Sequence, residues 1–301
     1  MLVATYNIQW GKGRDGRVDL DRIARTVRDA DIIGLQEVEC NWRQMAHADQ
    51  PARLSELLPD RYCLFGPSVD IDASQRRPDG TVANHRRQYG LLVLSRWPIL
   101  SVRSFPLPKY PVHGHVNDTS ILLETVVGHP RRPIRFYNTH LNYLSERQRQ
   151  IQVRELIGIV ADAPAQGGSF VGPGVPEDHF GADWIMLLKH ELPPMPQPAI
   201  LLGDFNMTSD SLEYGLLTGP VGPDYGRVAE YGLFADALTL SGMPEGKGIT
   251  YPANDDEAAK RIDHILVTAD LAGDVKRGWI DESADGSDHQ PVWAEIELGD
   301  S

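Results

Sequence analysis

Apolar residues fall along the chain in short runs between polar, Gly- and Pro-rich stretches, and the spacing within each run sets the element it predicts. Residues 2–8 read as a first β-strand. Val18, Leu20, Ile23, Ala24 and Val27 then recur at helical spacing, with Asp19 or Asp21 placed as a cap. Residues 31–38 predict a buried strand that ends in polar residues, Pro51 starts a short helix through Leu58, and residues 62–66 form another strand. Residues 67–88 are polar and turn-rich and predict a long surface loop. The strand pattern resumes over 90–95, Pro98 breaks it, and residues 101–106, 119–127 and 133–139 predict three more strands.

Ser145 caps a long helix with Glu146 in its first turn and Ile151, Leu156 and Ile159 within it. Residues 163–177 are rich in Gly and Pro, and a further helical stretch over 181–192 is ended by Pro193, Pro194, Pro196 and Pro198. A strand over 199–203 delivers Asp204-Phe205-Asn206, Ser209 or Asp210 caps a helix, and residues 261–267, 274–280 and 291–298 complete the strands. Length alone leans towards two domains, but layered α/β folds of this size also occur as one. Chemistry-bearing residues at both ends of the chain favour a single domain over 1–299, with insertions near 67–88 and 163–198.

Composition narrows the class. With 41% hydrophobic and 24% charged residues the chain reads as soluble and globular, and no apolar run approaches the roughly 20 residues that span a bilayer. The start lacks the basic and apolar segments of a signal peptide, and the two cysteines, Cys40 and Cys63, do not form a metal-like pair; both point to a cytoplasmic location. The formal charge of −13 disfavours long nucleic acid as a partner, because proteins that track a phosphate backbone offer a basic face. His85-Arg86-Arg87 or Arg131-Arg132 could still form a local basic patch.

The informative pattern is a set of acids, amides and histidines placed where an apolar strand stops: Asn7, Glu37, His140 and Asp204. Strand ends are where a rigid sheet can aim polar groups at a shared cleft. Hard divalent cations are held by one or two carboxylates plus waters and phosphate oxygens, which Glu37 and Asp288 could supply with Asn7 or Asp204 nearby. Glu37 alone could equally be an acid that pairs with an arginine. Asp204 and Asn206, two apart in extended chain, point to one side and could hold a water and a phosphoryl oxygen, or could form an Asx turn. His289 could serve as a base near neutral pH if an acid such as Asp263 holds its tautomer; alone, Asp288-His289 would be a polar turn.

Together the segments Thr5-Tyr-Asn7-Ile, Leu35-Gln-Glu37-Val, Gly90-Leu-Leu-Val-Leu-Ser-Arg96-Trp-Pro98, Thr139-His140-Leu141, Gly203-Asp204-Phe-Asn206, Arg261-Ile-Asp263 and Ser287-Asp288-His289 resemble the endonuclease/exonuclease/phosphatase superfamily, in its order and over nearly the whole chain. The resemblance implies a four-layer α/β sandwich, two packed mixed β-sheets flanked by helices. It implies Mg²⁺ or Mn²⁺ bound by Glu37 with Asn7 and Asp288. Asp204 and Asn206 would place the attacking water and the phosphate, and His289 would act as base or phosphate-polarising group oriented by Asp263. His140 resembles the second histidine of the deoxyribonuclease, sphingomyelinase and inositol phosphatase branches.

The pattern departs at residues 113–120, where many bacterial relatives carry an arginine; His115, Asn117 or Asp118 could replace it, or the segment is a plain loop. The 163–198 insertion reads as a substrate lid or an oligomer contact. The expected function is metal-dependent hydrolysis of a phosphodiester or phosphomonoester by in-line water attack, on a small-molecule, lipid-headgroup or nucleotide substrate. A nuclease acting on DNA or RNA is the alternative within the enzyme class. A non-catalytic binding module on the same fold is the alternative outside it.

Overall fold

Alternation of side chains across each strand sorts this sequence into layers. The computed structural model describes residues 1–43, 48–175, 192–224, 226–228, 234–253 and 259–299. In chain order the first half holds β1 (Leu2–Asn7), α1 (Leu20–Val27), β2 (Ile32–Cys40), α2 (Gln50–Leu57), β3 (Tyr62–Asp72), β4 (Gln75–Arg76), β5 (Val82–Ala83), β6 (Arg86–Ser95), β7 (Ile99–Pro106), β8 (Ile121–Val127) and β9 (Ile134–His140). The second half holds α3 (Glu146–Gln166), β10 (Ala199–Asp204), α4 (Leu212–Thr218), β11 (Val221–Gly222), β12 (Gly226–Arg227), β13 (Phe234–Asp236), α5 (Ala237–Leu240), β14 (Asp263–Thr268), β15 (Val275–Ile280) and β16 (Val292–Ile296).

The strands form two six-stranded sheets, ordered β15-β16-β1-β2-β6-β3 and β13-β14-β10-β9-β8-β7. In each, the central pair is parallel, β1 with β2 and β9 with β10, and the remaining neighbours are antiparallel. Val3, Ile32, Leu91 and Val93 of one sheet meet Phe136, Ile200, Leu202 and Ile265 of the other in a central apolar layer. The alternate residues Ala4, Tyr6, Ile33, Leu35, Leu92 and Leu94 face outward onto Ile23, Ala24 and Val27 of α1 and onto Leu54. On the far side, Tyr137, Leu201 and Leu266 pack against Val153, Leu156 and Val160 of α3 and Tyr214 and Leu217 of α4. The order of layers is therefore helices, sheet, sheet, helices, a four-layer α/β sandwich. No helix among the described residues is long and apolar enough to cross a membrane.

Near the site the apolar layer gives way to amides. Gln36 Nε2 donates across the interface to Asn138 Oδ1 at 2.7 Å, and within its own sheet to Thr5 Oγ1 at 3.0 Å. Asn138 Nδ2 donates back to the carbonyls of Leu35 and Leu92. Such a satisfied buried network fixes one relative placement of the sheets. Gly34 leaves room for it, since a Cβ there would lie 2.3 Å from Leu202 Cδ1 and 3.2 Å from Asn138 Cγ.

The helix starts follow the expected caps in part. Asp19 accepts from Arg22 N at 3.0 Å and Ser145 from Gln148 N at 3.3 Å. The cap of α4 is Ser211, which accepts from Tyr214 N, rather than Ser209 or Asp210. Residues 67–88 are a long hairpin more than a loop, because β3 runs on to Asp72 and β6 starts at Arg86. This extension is largely exposed on both faces, so its sequence carries no apolar alternation. The three-residue β13 lacks any periodicity and was not anticipated. The helix expected over 181–192 lies outside the described residues except for its last position.

Candidate active site

One edge of the sandwich collects the polar strand ends. Because β1 and β2 run parallel, and β9 and β10 likewise, Asn7, Glu37, His140 and Asp204 emerge on the same side. Their antiparallel neighbours begin there: Asp263 opens β14 opposite Asp204, which is also in register with His140. Asp288 and His289 lie just before β16. Parity then aims the side chains. Asn7 continues the inward series Val3–Thr5, His140 the series Ile134–Phe136–Asn138, and Asp204 the series Ile200–Leu202.

Glu37 breaks that rule. Simple alternation after Ile32, Gly34 and Gln36 would send it outward. A bulge intervenes: Leu35 pairs with Leu92 but Val38 pairs with Gly90, and Glu37 takes the left-handed conformation at φ 60°. Bulges of this kind re-aim a side chain, and Glu37 turns into the cleft. A non-glycine residue held there costs on the order of 1–2 kcal/mol. Asn206 is also left-handed at φ 51°, a conformation that Asn tolerates. Gly203 has φ 144° and no room for a Cβ, which would sit 1.9 Å from the Thr139 carbonyl oxygen.

The distances bring these predicted residues together. Asn7 Nδ2 donates to Glu37 Oε1 at 3.0 Å and to Asp204 Oδ2 at 2.9 Å. His140 Nε2 lies 3.5 Å and His289 Nε2 3.7 Å from the same Asp204 oxygen. The other Asp204 oxygen accepts from Asn206 N at 2.9 Å, while Asn206 Nδ2 donates to the Leu141 carbonyl. On its far side, His289 Nδ1 meets Asp263 Oδ2 at 2.9 Å. Asp288 stands apart from this knot: it accepts from Gln9 Nε2 at 2.7 Å and from Ser287 Oγ at 3.3 Å.

The electrostatics follow from burial and charge. Loss of solvent pushes the Glu37 carboxyl up, against the pull of His140, Asn7 and His289. For His289, burial works against the charged form, but the carboxylates of Asp263 and Asp204 outweigh it and push the imidazole up to about 10. Burial raises Asp263 as well, against the pull of His289. Since Asp263 accepts the His289 hydrogen bond, the imidazolium–carboxylate form is the arrangement the geometry favours.

The donor set fits a hard cation at Glu37. Its carboxylate takes one hydrogen bond among the described residues, from Asn7, and is otherwise desolvated and open to the cleft. Asp288 adds a second carboxylate on the cleft wall. Asn7 shows its amide nitrogen to both acids here, because Gln9 N donates to its Oδ1 at 3.0 Å. Asp204, Asp263 and His289 also lie within 4.8 Å of one another. There, however, the hydrogen bond between Asp263 and His289 already occupies the imidazole's Nδ1, so the trio reads as an oriented histidine rather than a metal cage.

The cleft has a volume of about 390 Å³, and its walls include residues the sequence did not single out: Gln9, Trp10, Tyr89, Tyr143, Tyr251 and Lys260. Gln9 could have been found as a polar residue two past Asn7. Tyr251, whose ring lies 4.7 Å from that of His289, gave no signal. Of the three candidates for the missing arginine, Asp118 lines the cleft, while Asn117 is turned to the Tyr110 carbonyl and Gln148. His264, adjacent to Asp263, faces away and is held by Asp236 and the Met207 carbonyl.

A family model described as "Endonuclease/Exonuclease/phosphatase family" matches residues 4–289. No curated protein matches the chain. Among solved structures it is similar to an endonuclease/exonuclease/phosphatase from Beutenbergia cavernae, at 24% identity and TM-score 0.65, covering 99% of this chain and 72% of that one. It is similar to a mannosyl-6-phosphatase of Bacteroides thetaiotaomicron at 19% identity and TM-score 0.62, covering 99% and 100%. A 3′ phosphatase from Neisseria bound to a product DNA hairpin matches at 18% identity and TM-score 0.58, again covering 99% and 100%. At these identities the likeness carries the fold.

Proposed function

Because the chain belongs to the endonuclease/exonuclease/phosphatase family, we propose that it is a divalent-metal-dependent phosphoesterase acting on a small phosphodiester or phosphomonoester by in-line attack of water. The observation that carries this reading is Asp204, a buried carboxylate ringed by Asn7, the Asn206 amide and two histidines. Mg²⁺ or Mn²⁺ held by Glu37 and Asp288 would neutralise charge on the phosphoryl and leaving oxygens, while Asn7, expected from the sequence as a third ligand, turns its amide nitrogen to Glu37 and Asp204 and positions those acids instead.

In this reading Asp204 orients the water and accepts its proton. His289, held between two carboxylates, presents Nε2–H to a phosphoryl oxygen, and Asp263 fixes its ring. His140 faces the leaving oxygen, and Asn206 holds the loop that seats the phosphate. Electrostatic placement of this kind supplies most of the barrier lowering in phosphoryl transfer. Residues 1–299 act as one unit, since both sheets contribute to the site.

Substrate size and charge favour a small ester. The cleft volume of about 390 Å³ is that of a small-molecule site. The chain carries a formal charge of −13, and two arginines of the candidate basic patches are paired, Arg86 with Asp70 and Arg132 with Asp274. A nuclease or nucleic-acid phosphatase is the second reading, favoured by the likeness to the DNA-bound Neisseria phosphatase. The test is a Mg²⁺/Mn²⁺ panel of bis-p-nitrophenyl phosphate, p-nitrophenyl phosphate, sugar phosphates, choline phospholipids, short RNA and plasmid. Turnover of small esters that EDTA abolishes is expected. Faster cleavage of plasmid or RNA would replace the first reading with the second, and no turnover of any ester would remove both.

A further inference from the structure

The cleft wall made by β6 and the 113–120 loop carries acids where a phosphate needs donors. Glu37 and Asp118 line it beside Tyr89, Ser120 and His140. Tyr89 obeys the rule that places Asn7, His140 and Asp204: it continues the inward series Val93–Leu91 and lies at the site edge, opposite Glu39 of β2. Two bulges meet beside it, between Leu35 and Val38 against β2 and between Pro67 and Val69 against β3. Gly90 permits that crowding, since a Cβ there would lie 2.3 Å from the Gly66 carbonyl oxygen.

The backbone around Tyr89 is held, with its carbonyl accepting from Ser68 Oγ at 3.1 Å. Its ring lies 6.5 Å from that of His140. Its hydroxyl, by contrast, has no hydrogen-bond partner among the described residues. Tyr89 is half-buried on the cleft wall, so its hydroxyl opens towards the space a ligand would occupy and is free to donate to it. We propose that the Tyr89 hydroxyl donates a hydrogen bond to a phosphoryl oxygen of the bound substrate, which makes it a further catalytic residue. An uncharged donor suits this wall: an arginine here would pair with Glu37 or Asp118, whereas the phenol stays free for the ligand. Burial, together with the charges of Glu37, Asp118 and Asp204, pushes the phenol well above its ordinary range, so it keeps its proton.

The inference rests on the phosphoesterase reading, and Tyr89→Phe tests it because the ring and its packing remain. Turnover of the best small ester should fall about 10- to 100-fold. Inorganic phosphate, titrated calorimetrically with Mg²⁺ present, should bind about tenfold weaker. The half-saturating Mg²⁺ concentration and the melting temperature should stay unchanged, which a purely structural role for Tyr89 does not predict. Turnover and phosphate affinity both within twofold of the wild type would overturn the proposal while leaving the phosphoesterase reading intact. A wild-type protein that neither turns over esters nor binds phosphate would overturn both.

Discussion

Replacing Asp263 by Asn probes the electrostatics of the site directly. The carboxylate meets His289 Nδ1 at 2.9 Å in a fully buried setting, and Asp204 lies 3.7 Å from Nε2. Holding the imidazole at about 10 rather than its usual 6.5 corresponds to roughly 5 kcal/mol in favour of the imidazolium, at about 1.4 kcal/mol per tenfold. Asn keeps the shape and can still accept from Nδ1–H, but it removes the charge. Burial then works against the charged ring with only Asp204 and Asp288 left to oppose it. In EDTA-treated protein, the ¹⁵N resonances of the His289 ring should titrate well above neutrality in the wild type. In Asp263→Asn they should titrate at least about two pH units lower, and activity with metal should fall by about a hundredfold or more. A wild-type His289 that titrates near 6.5, or one indifferent to Asp263→Asn, would show that Asp263 does not hold the imidazolium.

Other consequences follow from particular residues. Glu37→Asn relieves both a left-handed Glu and a desolvated carboxylate, so the metal-free variant should melt at or above the wild-type temperature, by up to about 1–2 kcal/mol, while losing at least about a hundredfold in activity. A marked loss of stability would contradict the strain argument. Gly203→Ala drives a Cβ into the Thr139 carbonyl at a φ of 144°; denaturant titration should show a loss of several kcal/mol, on the order of 3.

Asp236 gives a pH-dependent case. Burial would raise it, but its hydrogen bond with His264 and the charges of Arg261 and His264, with the Tyr214 hydroxyl, hold it well below the usual carboxylate range. A depressed folded pKa contributes stability that is fully present above the unfolded value of about 3.9 and is lost as pH falls below it. Asp236→Asn should therefore cost about 3–5 kcal/mol at neutral pH, leaving the buried Arg261 without its partner, and should flatten the acid limb of the stability curve below about pH 4. An acid limb as steep as the wild type's would count against it.

The layers of the fold were legible because the central strands alternate strictly, with one parity for the neighbouring sheet and the other for the helices. The same parity explains why Asn7, His140 and Asp204 could be read as site residues: each is the next inward position after an apolar series. Glu37 was legible only as a polar strand end, since alternation would have turned it outward and the bulge that corrects this depends on its pairing with β6. Tyr89 follows the inward rule but was hidden, because the polar hairpin around it gave no strand signal until Gly90. Gln9, Tyr251 and Lys260 reach the cleft from outside the strands, where no periodicity points to a common face. The Gln36–Asn138 pair that locks the sheets was invisible for another reason: its two halves are far apart in sequence and meet only when both sheets are in place.

The proposed metal-dependent hydrolytic site is built around Asp204 at the shared edge of the two sheets. The most direct test is the steady-state hydrolysis of bis-p-nitrophenyl phosphate by the wild type and by Asp204→Asn, each with EDTA and with added Mn²⁺. Wild-type turnover that EDTA abolishes and Mn²⁺ restores is expected, with a loss of at least about a hundredfold in Asp204→Asn while the fold is retained. Metal-independent turnover, or an Asp204→Asn variant with near-normal activity, would contradict the proposed site.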